Sequence, residues 1–144
     1  ASAGGKKLVG EQSERAEPES RRQKIEQKLL GLWQWQQAAA EPLLVADKLA
    51  TRLREQGVDL ATSAEKAVLE VEQAYSGSTQ VGLVAEAEEL LTSLAREIIK
   101  ERLQAAMTQL AQAEQRQDEG VIAACLKACQ DISHELSHFN TIKL

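Results

Sequence analysis

The chain has 144 residues, 43% of them hydrophobic but only 3% aromatic, and a formal net charge of −5. That fits one domain of ordinary size, or a domain with an appendage, with a core of Leu, Ile, Val and Ala, which points to helices. The acidic balance leaves no footprint for general nucleic-acid binding, which needs a basic face, and no apolar run reaches the ~18 residues of a membrane span.

The charge is uneven. Residues 1–28 carry seven Lys/Arg against five Asp/Glu, a balance of +2, so the remainder holds −7. No charged-then-apolar leader is present, and two cysteines four apart on one helical face close almost no loop, so reduced thiols in a cytoplasmic protein are expected. The chain starts at Ala1 and its only methionine is Met107, so it is expected to be a processed chain or a fragment of something larger.

"ASAGGKKLVGEQSERAEPES" (residues 1–20) mixes Gly, Ser, Glu, Lys and Pro without apolar periodicity and reads as a flexible linker. In "RRQKIEQKLLGLWQWQQAAAE", Ile25, Leu29, Leu32, Trp33 and Gln36 line one face of a helix that Leu30 and Trp35 widen. Gly31 in its middle costs about 1 kcal/mol relative to Ala, tolerable if another element packs against it. This helix is expected to end before Pro42. A second helix is expected in "LLVADKLATRLREQG", with the stripe Leu43, Ala46, Leu49, Ala50 and Leu53 and a left-handed stop at Gly57. A third runs through "TSAEKAVLEVEQAYSG", where Thr62 and Glu65 have capping-box spacing and Ala64, Val68, Val71 and Tyr75 form the stripe.

A much longer helix is expected from about Thr79 to Gln115. Its stripe is Leu83, Ala87, Leu90, Leu91, Leu94 and Ile98, drifting to Ile99, Leu103, Ala106, Leu110 and Ala113. At roughly 50 Å it exceeds what a compact domain needs, so part of it should project. After a turn at Arg116–Gly120, Ile122, Cys125, Cys129, Ile132, Leu136 and Phe139 recur at coiled-coil intervals. Folded back antiparallel, this seam meets the end of the long helix and makes a terminal hairpin. The fold expected is therefore all-α: a small helical bundle followed by a long helix and a terminal antiparallel helical hairpin. Its parts are a linker at 1–20, the bundle at 21–95 and the hairpin at 96–144.

Four features carry possible chemistry. His134, Glu135 and His138 spell H-E-x-x-H, the pattern in which two histidines a turn apart hold zinc and the glutamate serves as general base. Catalytic zinc needs a third ligand and an open position. Only six residues follow His138, and none is His, Asp, Glu or Cys, so a solvated helix that spells the motif by chance is the reading favoured; a metal-dependent hydrolase is the competing one. Cys125 and Cys129 sit at seam positions where small thiols pack, and they lack the C-x-x-C spacing of zinc modules. Trp33 and Trp35 cannot share one helical face, so one is expected in the core and the other at a helix junction or in a groove. "KKLVG" and "RRQK" are small basic clusters beside the linker, expected to be solvated. Nothing assembles a nucleophile, a base and an orienter, and no catalytic, cofactor-binding or metal-ligating residue is assigned.

"RRQKIEQKLLGLWQWQQ", "VLEVEQAYSG" and "LAREIIKERLQAAMTQLAQAEQRQDEGVIAACLKACQDISHEL", in that order, resemble the C-terminal helicase-binding domain of bacterial DnaG-type DNA primases over roughly residues 20–139. The resemblance implies that zinc-binding and catalytic modules, with the DNA-directed RNA polymerase activity, lie upstream of this chain, which would itself be non-catalytic and without cofactor. It would dock the primase onto the hexameric DnaB-type replicative helicase in the primosome, the bundle modulating the helicase and the hairpin supplying most of the affinity. On that reading the partner-binding positions are the apolar hairpin residues Val121, Leu126, Phe139 and Ile142. The alternative is a stand-alone helical adaptor that binds another partner.

Overall fold

The computed structural model describes residues 19–144; the expected linker and "KKLVG" lie almost entirely outside them. Five helices follow one another: α1 (Arg21–Ala38), α2 (Ala46–Glu55), α3 (Glu65–Tyr75), α4 (Gln80–Arg116) and α5 (Glu119–Ser137). The chain is all-α, with α1–α3 clustered on the first half of α4 and α5 folded back antiparallel on its second half.

Local sequence explains where most helices begin and end. Ser20 opens α1 with a capping box: its hydroxyl accepts from the Gln23 N–H while the Gln23 side chain accepts from the Ser20 N–H. Thr79 caps α4 by accepting from the Gly82 N–H at 3.0 Å. Gly57, at φ 80°, takes the left-handed position that ends α2. The Thr62–Glu65 capping box does not form. Asp59 has organised that loop, its carboxylate accepting from the Ala61 N–H and its carbonyl from the Thr62 N–H, and α3 starts after Ala64 with no side-chain cap.

The core is aliphatic, as the composition dictates. Leu29, Leu30, Leu32, Leu49, Leu53, Leu83, Leu91 and Leu94 are fully buried, and each contributes about 1.5–3 kcal/mol by leaving water. Both tryptophans are half-buried on its margin, neither at its centre. In the second helix the expected stripe moves. α2 begins at Ala46, and Leu44, in the loop before it, is buried in place of Leu43. Val68 likewise gives way to Ala67 on α3. The reason for the latter is Gly31: a Cβ there would stand 2.8 Å from the Ala67 carbonyl carbon and oxygen. α1 and α3 approach backbone to backbone, and only a glycine opposite a small residue permits it.

Gln36, on the inner face of α1, is buried although polar. Its Oε1 accepts from the N–H groups of Leu43 and Leu44, satisfying loop donors that a Leu at this position would leave orphaned.

α4 has 37 residues and a length of roughly 55 Å. Residues through Leu94 belong to the bundle core; beyond Ile99 its buried residues, Ala106 and Ala113, face α5 alone. The start of α1 grips the crossover point: Arg21 lies 3.3 Å from Glu97 and Arg22 2.7 Å from Glu101. These partly exposed pairs are worth about 0–1 kcal/mol each, so they orient more than they stabilise. Past them, α4 and α5 form a two-helix arm.

Candidate functional site

The arm is held by the seam expected from the spacing. Ile99, Ala106, Ala113 and Cys125 are buried, and Leu103, Leu110, Ile122, Cys129, Ile132, Leu136 and Phe139 are half-buried. A pair of helices cannot enclose its own interface, so most seam residues keep one flank in water. The turn is tight. Gln117 takes φ 58°, the N–H groups of Gln117 and Asp118 donate back to the Glu114 and Ala113 carbonyls, and Asp118 then caps α5 by accepting from the Val121 N–H at 3.2 Å. Near its base, Arg102 and Glu135 bridge the helices at 2.9 Å.

Large apolar side chains stand off the seam. Met107 is 49% exposed, Val121 46% and Leu126 44%, and Val121 rims a tip pocket of about 180 Å³ floored by Ala113 and Cys125 between Gln109, Gln112, Arg116 and Asp118. The four nominated positions therefore divide. Val121 and Leu126 present apolar surface to solvent on the arm. Phe139 is half-buried with the Arg96 guanidinium 5.3 Å over its ring. Ile142 packs against the bundle core, and its N–H donates to Thr92 Oγ1 at 3.0 Å. Reading Ile142 as hairpin surface overlooked the turn back after α5. Met107, an apolar residue off the α4 stripe, is exposed on the arm as well.

The H-E-x-x-H residues do not converge. His134 and His138 stack ring on ring at 4.0 Å on an exposed flank of α5, and Glu135 turns away to Arg102. Among the described residues no group of three His, Cys, Asp or Glu side chains is placed to hold a metal ion. Cys125 and Cys129 are free thiols on the seam, the first buried and the second half-buried.

On the bundle, Lys28 of α1, Tyr75 of α3 and Glu86 of α4 meet. The Tyr75 hydroxyl donates to Glu86 at 3.1 Å, and the Lys28 ammonium sits 5.4 Å over the Tyr75 ring and 4.0 Å from Glu86. A hydrogen bond with Tyr75 pushes the Lys28 pKa up against the opposing effect of burial, with the Tyr75 and Glu86 charges adding to the rise. Beside this cluster a shallow groove of about 370 Å³ runs between α1 and α3, rimmed by Glu19, Lys24, Lys28 and Glu70. Its mixed charges favour no single class of ligand.

What the arrangement offers is helical surface for another protein. Among the described residues no helix is long and apolar enough to cross a membrane. Comparison with protein-family models, with curated proteins and with solved structures found no match.

Proposed function

We propose that this chain is a protein-interaction module in which the bundle is the base and the α4–α5 arm the docking element. The observation that carries it is the arm itself: two helices standing clear of the core, with Met107, Val121 and Leu126 about half exposed along it. Met107 of α4 and Leu126 of α5 flank the same side of the seam, where a third helix laid along the arm would cover them, while Val121, about 140° round α5 from Leu126, lies on the opposite flank beside the tip pocket. The chain is proposed to be non-catalytic, since among the described residues His134, Glu135 and His138 have no third side chain beside them placed to hold a metal ion. Elemental analysis tests that part: about one zinc per chain, lost in His134→Ala, would overturn it.

As to the partner, the order of parts (bundle, long helix, terminal hairpin) supports docking onto a hexameric DnaB-type replicative helicase, as a primase would require. The module reading does not depend on that identity. An adaptor for another helical protein rests on the same arm and needs no upstream catalytic core. Calorimetric titration of the intact chain against the hexameric helicase of its own organism separates the two. Saturable binding to the ring supports the primase reading; no heat and no co-elution leaves the adaptor.

A further inference from the structure

After α5 the chain does not trail away. Residues 139–144 turn back and lie between α2 and α4. Ile142 and Leu144 pack their side chains on the bundle core. The backbone is held at three successive residues: the Ile142 N–H donates to Thr92 Oγ1 at 3.0 Å, Arg52 Nε of α2 donates to the Lys143 carbonyl at 2.9 Å, and the Leu144 N–H donates to Glu88 Oε2 at 2.9 Å. Lys143 adds its ammonium 3.9 Å from the other Glu88 oxygen. Thr92 is 9% exposed and donates its own proton to the Glu88 carbonyl at 2.8 Å, which leaves its lone pairs for the Ile142 N–H. Thr92 and Glu88 stand on one face of α4 and form a ready-made acceptor row for an extended strand.

The position of this row matters more than its strength. α2 packs mainly against α1, and α5 mainly against α4; the two share no substantial helix-to-helix interface. The terminal segment is what joins them, because it continues from α5 and is gripped by Arg52 of α2. We propose that residues 139–144 are a latch that couples the outer helix of the arm to α2, so that the two open and close as one unit. Displacement of α5 by a partner on the arm then reaches α2 through the latch. The coupling belongs to the fold and holds whatever the partner is.

Native-state hydrogen exchange on the full chain, with denaturant increments, tests it. In the parent protein, amides of Leu49–Leu53 in α2 and Ile132–Leu136 in α5 should share one opening free energy and one denaturant slope. Thr92→Val keeps the volume and removes the acceptor; Ile142→Asp removes the apolar anchor. Each should raise exchange at both sites together relative to α1 and α3, by about tenfold in Thr92→Val, which removes up to two hydrogen bonds, and by at least as much in Ile142→Asp, which puts a charge where an apolar side chain packed. Should Ile142→Asp unfold the chain, Thr92→Val decides alone. Separate slopes for the two sites in the parent, or a rise at one site only in Thr92→Val, would overturn the latch.

Discussion

Replacing Gly31 by Ala sets two effects of known size against each other. In an isolated helix the change is favourable by about 1 kcal/mol, because Ala loses less backbone freedom and covers the helix. In this bundle the new Cβ meets the Ala67 carbonyl carbon and oxygen at 2.8 Å and its Cβ at 2.9 Å. Two of those atoms are α3 backbone, so no side-chain rotation relieves the clash. α3 must move outward, and it is anchored by Ala67 and Val71, both buried in the core. Overpacking that shifts backbone costs about 1–3 kcal/mol, so the net loss should be about 0–2 kcal/mol, or up to about 6 °C in Tm. Adding Ala67→Gly removes one of the three crowded atoms but puts a glycine inside α3, which itself costs about 1 kcal/mol, so it should restore little of the loss. Urea unfolding followed by far-ultraviolet circular dichroism measures all three proteins. A more stable Gly31→Ala variant would refute the backbone-to-backbone packing of α1 on α3.

Gln36→Leu should destabilise by about 1–3 kcal/mol, because Leu44 keeps a buried N–H with no acceptor; urea midpoints check it, and a neutral result would mean that water replaces the carboxamide. Gln117→Gly should stabilise by about 1 kcal/mol, since the turn holds a non-glycine residue at φ 58°; thermal unfolding reads the gain, and a loss would show that the Gln side chain matters more than its backbone. The Lys28 contact has a pH signature. Its folded pKa is raised, so its contribution is complete below the unfolded value of about 10.4 and fades as pH climbs through the folded one. Lys28→Met should therefore flatten the alkaline limb of the stability curve, and an unchanged limb would place the titration elsewhere.

The parts that were legible in the sequence are those written as long periodic patterns. Ile122, Cys125, Cys129, Ile132, Leu136 and Phe139 could be read as a seam because 3-4 spacing over several turns has one helical solution, and the α4 drift from Ile98 to Ile99 marked where its partner changes. Short signals fared unevenly, because loop geometry decides between competing caps. Thr62 and Glu65 have the right spacing, but Asp59 claims the turn; Ser20 and Gln23 have the same spacing and form the box. Gln36 looked like a stripe position and is one, though its burial serves two loop N–H groups. "NTIKL" gave no sign of its role. Five residues of extended chain have no period to read, and their acceptors, Glu88 and Thr92, lie some fifty residues upstream. At the candidate positions the arm follows from the spacing, but exposure does not: Val121 and Leu126 are exposed, Phe139 is half-buried, Ile142 packs on the bundle core, and Met107 is exposed although it lies off the α4 stripe.

The claim at the centre of the account is that the apolar surface of the arm binds a partner. Val121→Asp and Leu126→Asp each place a charge on a side chain that is about half exposed and outside the core, so folding should be nearly untouched. The direct measurement is calorimetric titration of the parent and both full-length variants against the hexameric replicative helicase, with unfolding midpoints recorded in parallel. The account predicts saturable binding by the parent and at least about a tenfold loss of affinity in one or both variants, the size expected for a contact residue worth more than about 1 kcal/mol, at unchanged midpoints. Equal affinities for all three proteins would contradict the arm as the docking element, and no binding by the parent would contradict the helicase as its partner.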